Sequence, residues 1–118
     1  MQTKQLLQII TDVLDEHKGE NVTVLDVEEK TSVTDYMVVA TSTSERHAKS
    51  LSGYVLEKVK KQGLTPLGVE GEQGSDWVLL DLGDVILHLM TAKARDFYQL
   101  EKLWSVDRNE TSTAELVE

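Results

Sequence analysis

The chain contains no cysteine, which excludes disulfides, thiolate metal sites and cysteine nucleophiles together and fits a reducing cytosol. Proline occurs once, at Pro66, and aromatic residues make up only 5% of the sequence. No apolar run approaches the roughly 18 residues that a membrane helix needs. Gln8 and Asp12 interrupt the amino-terminal stretch and His88 the longest later one, so neither an anchor nor a signal peptide is expected. Cations are scarce as well: 12 Lys and Arg against 21 Asp and Glu leave a formal net charge of -9. That balance argues against DNA or wholesale phosphate-backbone binding, which Lys and Arg drive by neutralising charge, and favours a positively charged protein partner.

What remains is enough for one domain. With 118 residues, 40% of them hydrophobic, a chain of this size buries roughly two thirds of its unfolded surface and can hold a single core without staples. Thr3 to Lys18 places Leu6, Leu7, Ile10, Val13, Leu14 and His17 at three- and four-residue intervals, predicting an amphipathic helix with Gly19 at its left-handed stop. Asn21 to Val27 alternates as a strand does, and Tyr36 to Thr41 is an apolar run suited to a strand covered on both faces. Glu28 to Asp35, between them, reads as a turn. Thr43 or Ser44 caps a second helix whose stripe Ala48, Leu51, Ser52, Val55, Leu56 and Val59 runs to Gly63.

Val69-Glu70-Gly71 then suggests a short edge strand, and Gly83-Asp84 a hairpin turn between Trp77–Leu82 and Val85–Met90. Phe97, Leu100, Leu103 and Trp104 mark a last helix with one greasy face. The order predicts an α/β fold, a mixed sheet of four or five strands flanked by helices, over residues 1–105. Residues 106–118 turn polar and read as a loose tail.

Charge is unevenly spread. Residues 42–63 carry +3, whereas 64–91 carry -5 and contain no Lys or Arg. Glu70, Asp81 and Asp84 lie there around Trp77. An aromatic beside acids without local partners is what a docking surface for a basic protein requires, the ring supplying buried area and the acids steering the approach. Solvated turn acids and a core tryptophan would give the same pattern.

The sequence offers little catalytic chemistry. His17, His47 and His88 form no metal-ligand spacing, and no Gly-x-Ser-x-Gly elbow exists. Asp26 and Glu28 alternate on a strand and could hold magnesium if Thr41-Ser42-Thr43-Ser44 cradled a phosphate, the outline of a magnesium-dependent nucleotidyltransferase. That loop lacks glycine and the lysine of a Walker loop, and helix capping, which explains the same hydroxyls, is the preferred reading. Arg46, Lys49, Lys58, Lys60 and Lys61 give the second helix a basic face.

Several stretches together resemble the ribosomal silencing factor family, also called Iojap-like. They are Leu25-Asp26-Val27, Thr34-Asp35-Tyr36 with Val38-Val39-Ala40-Thr41, Thr43-Ser44 with Arg46-His47, Pro66 to Gly71, Asp76 to Val85 with His88, Arg95-Asp96-Phe97-Tyr98, and Leu100 to Trp104. The resemblance implies a nucleotidyltransferase-like fold without its catalytic motifs, and no cofactor. It implies a protein, acting in the cytoplasm as a homodimer, that binds the ribosomal large subunit through its protein fourteen and keeps the subunits apart. A role in large-subunit assembly is the alternative, and ribosomal RNA contact is left open. Contact roles carried over by the resemblance fall on Trp77, Asp81, Asp84, Arg95, Asp96 and Tyr98, then Glu70 and His88. Ser42 stands where the family usually has glycine, and would be strained if that position needs a positive φ.

Overall fold

The structure, a computed structural model, describes residues 1–71 and 73–105, with side chains as far as Lys102. The expected tail, Glu72, and the side chains of Leu103 and Trp104 lie outside that range. Helix α1 spans Thr3–Glu16 and buries Leu6, Ile10, Val13 and Leu14. Its stop differs from expectation: Lys18, at φ 69, takes the left-handed turn. Gly19 is there for close packing, since a Cβ would lie 3.2 Å from the Leu14 side chain.

Strand β1, Glu20–Asp26, runs antiparallel to β2, Tyr36–Ser42. Helix α2, Glu45–Lys61, follows, capped by the Ser44 hydroxyl, which accepts from the His47 N–H and is worth about 1 kcal/mol. Strands β3, Gly68–Glu70, β4, Trp77–Asp81, and β5, Val85–Thr91, complete a five-stranded sheet of order β1-β2-β5-β4-β3. Only β2 and β5 are parallel, so the mixed α/β sheet is as expected. They sit at its centre, and each is almost wholly buried.

Period-two alternation divides the sheet into two unlike faces. Val38, Ala40, Val78, Leu80, Val85, Leu87 and Leu89 point to one face, where α1 and α2 cover them. This is the main core, and each fully buried Leu or Ile in it contributes about 1.5–3 kcal/mol. The opposite face carries Val39, Trp77, Leu79, Asp81, Ile86, His88 and Met90.

Cover on that second face is partial: Leu25, Val27 and Met37 form a small buried cluster toward the start of β2, and at the other end of β2 the expected single last helix is corrected. Helix α3, Ala92–Tyr98, and helix α4, Leu100–Ser105, are separated by Gln99 in the left-handed conformation. The break divides the predicted greasy stripe. Leu100 packs on the small cluster of Val39, Met90 and Ala94, while Phe97 is 77% exposed.

Candidate docking face

Trp77 opens β4 and pairs with Met90, which sets its half-buried ring on the partly covered face against the Val39, Met90 and Ala94 cluster. Tyr98, at the end of α3, tilts onto it with ring centroids 4.5 Å apart. Phe97 meets Tyr98 edge-on at 4.9 Å. Tyr98 and Phe97 are exposed, so the three rings form a step from core to solvent.

His88 anchors the step from beneath. It lies in the middle of β5 and is buried, and its Nδ1 accepts a 3.0 Å hydrogen bond from the Trp77 indole N–H. That bond places the proton of the neutral ring on Nε2, which is itself buried and, among the described residues, has no hydrogen-bond partner. Burial pushes the imidazole pKa down to about 4, so the ring is neutral at pH 7. The indole N–H is thereby turned inward, and Trp77 offers an apolar edge outward.

Strand register puts two acids on the same face. Asp81 pairs with Ile86 and with Gly68, while Glu70 pairs with Leu79. Glu70 is exposed. Asp81 is half-buried, and one of its oxygens accepts from the Gly83 N–H at 3.0 Å. Neither makes an ion pair among the described residues, where the salt bridges are Lys61–Glu57 and Arg95–Glu101. Gly71, at φ +87, adjoins Glu70, and a Cβ there would run into the Trp77 carbonyl oxygen. Glycine is thus required for the β3 edge to close on β4.

The remaining expected contact residues sit elsewhere. Asp84 is exposed in the β4–β5 turn, where it accepts from the Thr3 hydroxyl at 2.8 Å, at the end of the sheet remote from Trp77. Asp96 is exposed and lines an open cleft of about 450 Å³ with Arg95, Gln99 and Lys102. Arg95 turns inward: its guanidinium donates to the Glu101 carboxylate, the Thr23 and Thr41 hydroxyls and the Asn21 carbonyl. Sequence reasoning missed Leu79 and Ile86, half-buried neighbours of His88 and Asp81 on the open face. The spacing Trp77, Leu79, Asp81 already contained that signal. It also missed Leu67, which is 73% exposed beside the β4–β5 hairpin.

The nucleotidyltransferase outline does not assemble. Asp26 pairs with Tyr36 at the start of β2, whereas Thr41 to Ser44 leave its other end, about 17 Å away at the usual strand rise. Three of the four hydroxyls there are engaged within the chain: Thr41 accepts from Arg95, Ser42 donates to the Ser44 carbonyl, and Ser44 caps α2. Asp26 accepts from the Glu28 N–H, and the negative charge of Asp26 raises the pKa of Glu28. Ser42 is extended strand, absent from the residues at positive φ, so the feared strain does not arise.

Exposed rings, a buried histidine beneath them and acids without an ion pair among the described residues thus share one sheet face of an α/β domain. The family profile described as "Ribosomal silencing factor during starvation" matches residues 1–118. "Ribosomal silencing factor RsfS" of Haemophilus influenzae is 39% identical over 100 residues, spanning 85% of this chain and 98% of that one. A crystal structure of a Chromobacterium violaceum protein superposes with a TM-score of 0.86 at 36% identity, covering 89% of this chain and 88% of that one. "Mitochondrial assembly of ribosomal large subunit protein 1" of Mus musculus is 30% identical over 103 residues, 85% of this chain but 45% of its own length. The chain belongs to the ribosomal silencing factor, or Iojap, family, which is non-enzymatic. Among the described residues, no helix is long and apolar enough to cross a membrane.

Proposed function

We propose that this chain binds the ribosomal large subunit through its protein fourteen and, by bulk alone, keeps the small subunit from joining. The observation that carries the reading is the open sheet face, where the Trp77–Tyr98 step lies on the same side as Glu70 and Asp81. An amphipathic aromatic anchor with acids beside it suits a basic, partly apolar protein surface. Family membership supplies the ribosome as the place to find one. No turnover is involved, so repression follows mass action between free factor and free large subunits in the cytoplasm.

The test is sedimentation of separated subunits with added protein. The expected result is loss of the joined ribosome peak with the protein in the large-subunit fractions, and unchanged joining would reject the mechanism. The assembly reading is favoured by the name of the mouse relative. The two separate by what copurifies, mature large subunits for silencing and precursors for assembly. We also infer that the exposed Phe97 and Tyr98 support a homodimer at high concentration, checked by sedimentation equilibrium.

A further inference from the structure

We propose that Arg95 is a positioning residue: its guanidinium buckles α3 and α4 onto the β1–β2 edge and thereby fixes Tyr98 against Trp77. The proposal rests on the docking reading above and deepens it.

The guanidinium has five N–H donors, and the structure uses all five. Nε donates to Glu101 Oε1 at 3.0 Å and Nη2 to Glu101 Oε2 at 2.6 Å, a two-pronged fork across the α3–α4 break. Nη2 also donates to the Thr23 hydroxyl at 2.9 Å, and Nη1 to the Thr41 hydroxyl at 2.8 Å and to the Asn21 carbonyl. One side chain thus joins α3 and α4, neighbours in the chain, to β1 and β2, 54 to 74 residues earlier. Only 13% of it is exposed. The Glu101 carboxyl is held below its ordinary pKa, first by its hydrogen bond from Arg95, which keeps the fork charged.

Saturation of the donors decides the role. A guanidinium with no free N–H offers an incoming carbonyl or carboxylate nothing without first breaking the buckle. Something must also hold this end of the fold. Helix α3 has seven residues, Gln99 breaks it in a left-handed turn, and Phe97 and Tyr98 have little buried contact to fix them. Both the β1 bulge, between Glu20 and Thr23 with Asn21 at φ 49, and the hydroxyl of Thr41 present acceptors to this one group. Tyr98, three residues after Arg95, is placed by it. A pre-set ring loses less conformational freedom on docking than a mobile one.

A double-mutant cycle read by binding to purified large subunits tests this. Trp77→Ala and Tyr98→Ala are expected to weaken binding at least tenfold, and Arg95→Gln by about tenfold. Arg95→Gln added to Tyr98→Ala should then weaken it by less than about twofold more, because the arginine acts through the tyrosine. In the folded Arg95→Gln protein, cross-relaxation between the Trp77 and Tyr98 rings should disappear. Multiplicative losses in the cycle would make Arg95 a direct contact and overturn the proposal. So would wild-type binding by Arg95→Gln alongside failure of Trp77→Ala, which leaves the docking reading intact. Wild-type binding by Trp77→Ala and Tyr98→Ala would remove both. Should Arg95→Gln not fold, Glu101→Gln, which weakens the fork and leaves Thr23 and Thr41 in place, runs the same cycle with the same criteria.

Discussion

Lowering the pH from 7 to 5 should destabilise the domain through His88 before carboxylates titrate, with the Trp77 bond to the neutral ring still in place. The folded imidazole has a pKa of about 4 because it is buried, whereas an unfolded histidine titrates near pH 6.5. Between those values the unfolded chain takes up a proton that the folded chain refuses, so stability falls as pH falls. Above the unfolded value the contribution is fully present. A difference of two to three pKa units corresponds to about 3 kcal/mol in all, of which about 2 kcal/mol is lost between pH 7 and pH 5. For a domain holding roughly 5–15 kcal/mol that loss is large. Protonation also puts a hydrogen on Nδ1, facing the Trp77 N–H that it formerly accepted. Glu101, whose folded pKa is lowered, adds loss in the same direction but further down in pH. Urea unfolding from pH 7.5 to 5, with wild type and His88→Gln in parallel, isolates the imidazole, because glutamine can still accept from the indole and does not titrate. The wild type should show the steeper pH slope. Parallel curves, differing by less than about 0.5 kcal/mol across the range, would refute the burial argument.

Three further outcomes follow from the geometry. Trp77→Phe keeps most of the buried ring but cannot donate to His88, so it should fold with a loss of about 1–2 kcal/mol in urea unfolding. Asp81→Lys should weaken large-subunit binding and flatten its salt dependence, while Asp84→Lys, with the same charge change at the remote turn, should do neither. Equal effects on binding would mean that net charge, rather than the face, steers docking. Gly71→Ala forces a Cβ against the Trp77 carbonyl at a positive φ and should lower stability by about 2 kcal/mol or more, measured by thermal unfolding.

Much of the fold was legible because its signals are local. The α2 stripe from Ala48 to Val59 repeats at helical spacing, and Ser44 lies where a cap is needed. The apolar run from Tyr36 reads as a strand covered on both faces, and β2 is buried along its length after Tyr36. The last helix failed for a reason that periodicity cannot express. Phe97 and Leu100 fit one helical face, but Gln99 takes a left-handed turn between them, and the Arg95 buckle spanning that turn depends on Thr23 and Thr41, more than 50 residues earlier. For the docking face, Trp77 with nearby acids was readable along the chain, whereas separating Asp81 from Asp84 needed the register. Asp81 falls on an even step from Trp77 and shares its face; Asp84 lies past the strand's end and turns toward Thr3.

The sheet's two faces differ in how far folding buries them. Packing α1 and α2 on one side supplies a continuous apolar core without the other. Stability alone would favour covering the second side too, since half-buried Trp77, Leu79 and Ile86 forgo roughly 25 cal/mol for each Å² of apolar surface left in water. Instead α3 and α4 cover one end and expose Phe97 and Tyr98. Apolar surface left in water is recovered when another surface closes over it. In the function proposed above, binding completes the burial that folding leaves undone, and the chain acts on a particle far larger than itself by occupying a face of it.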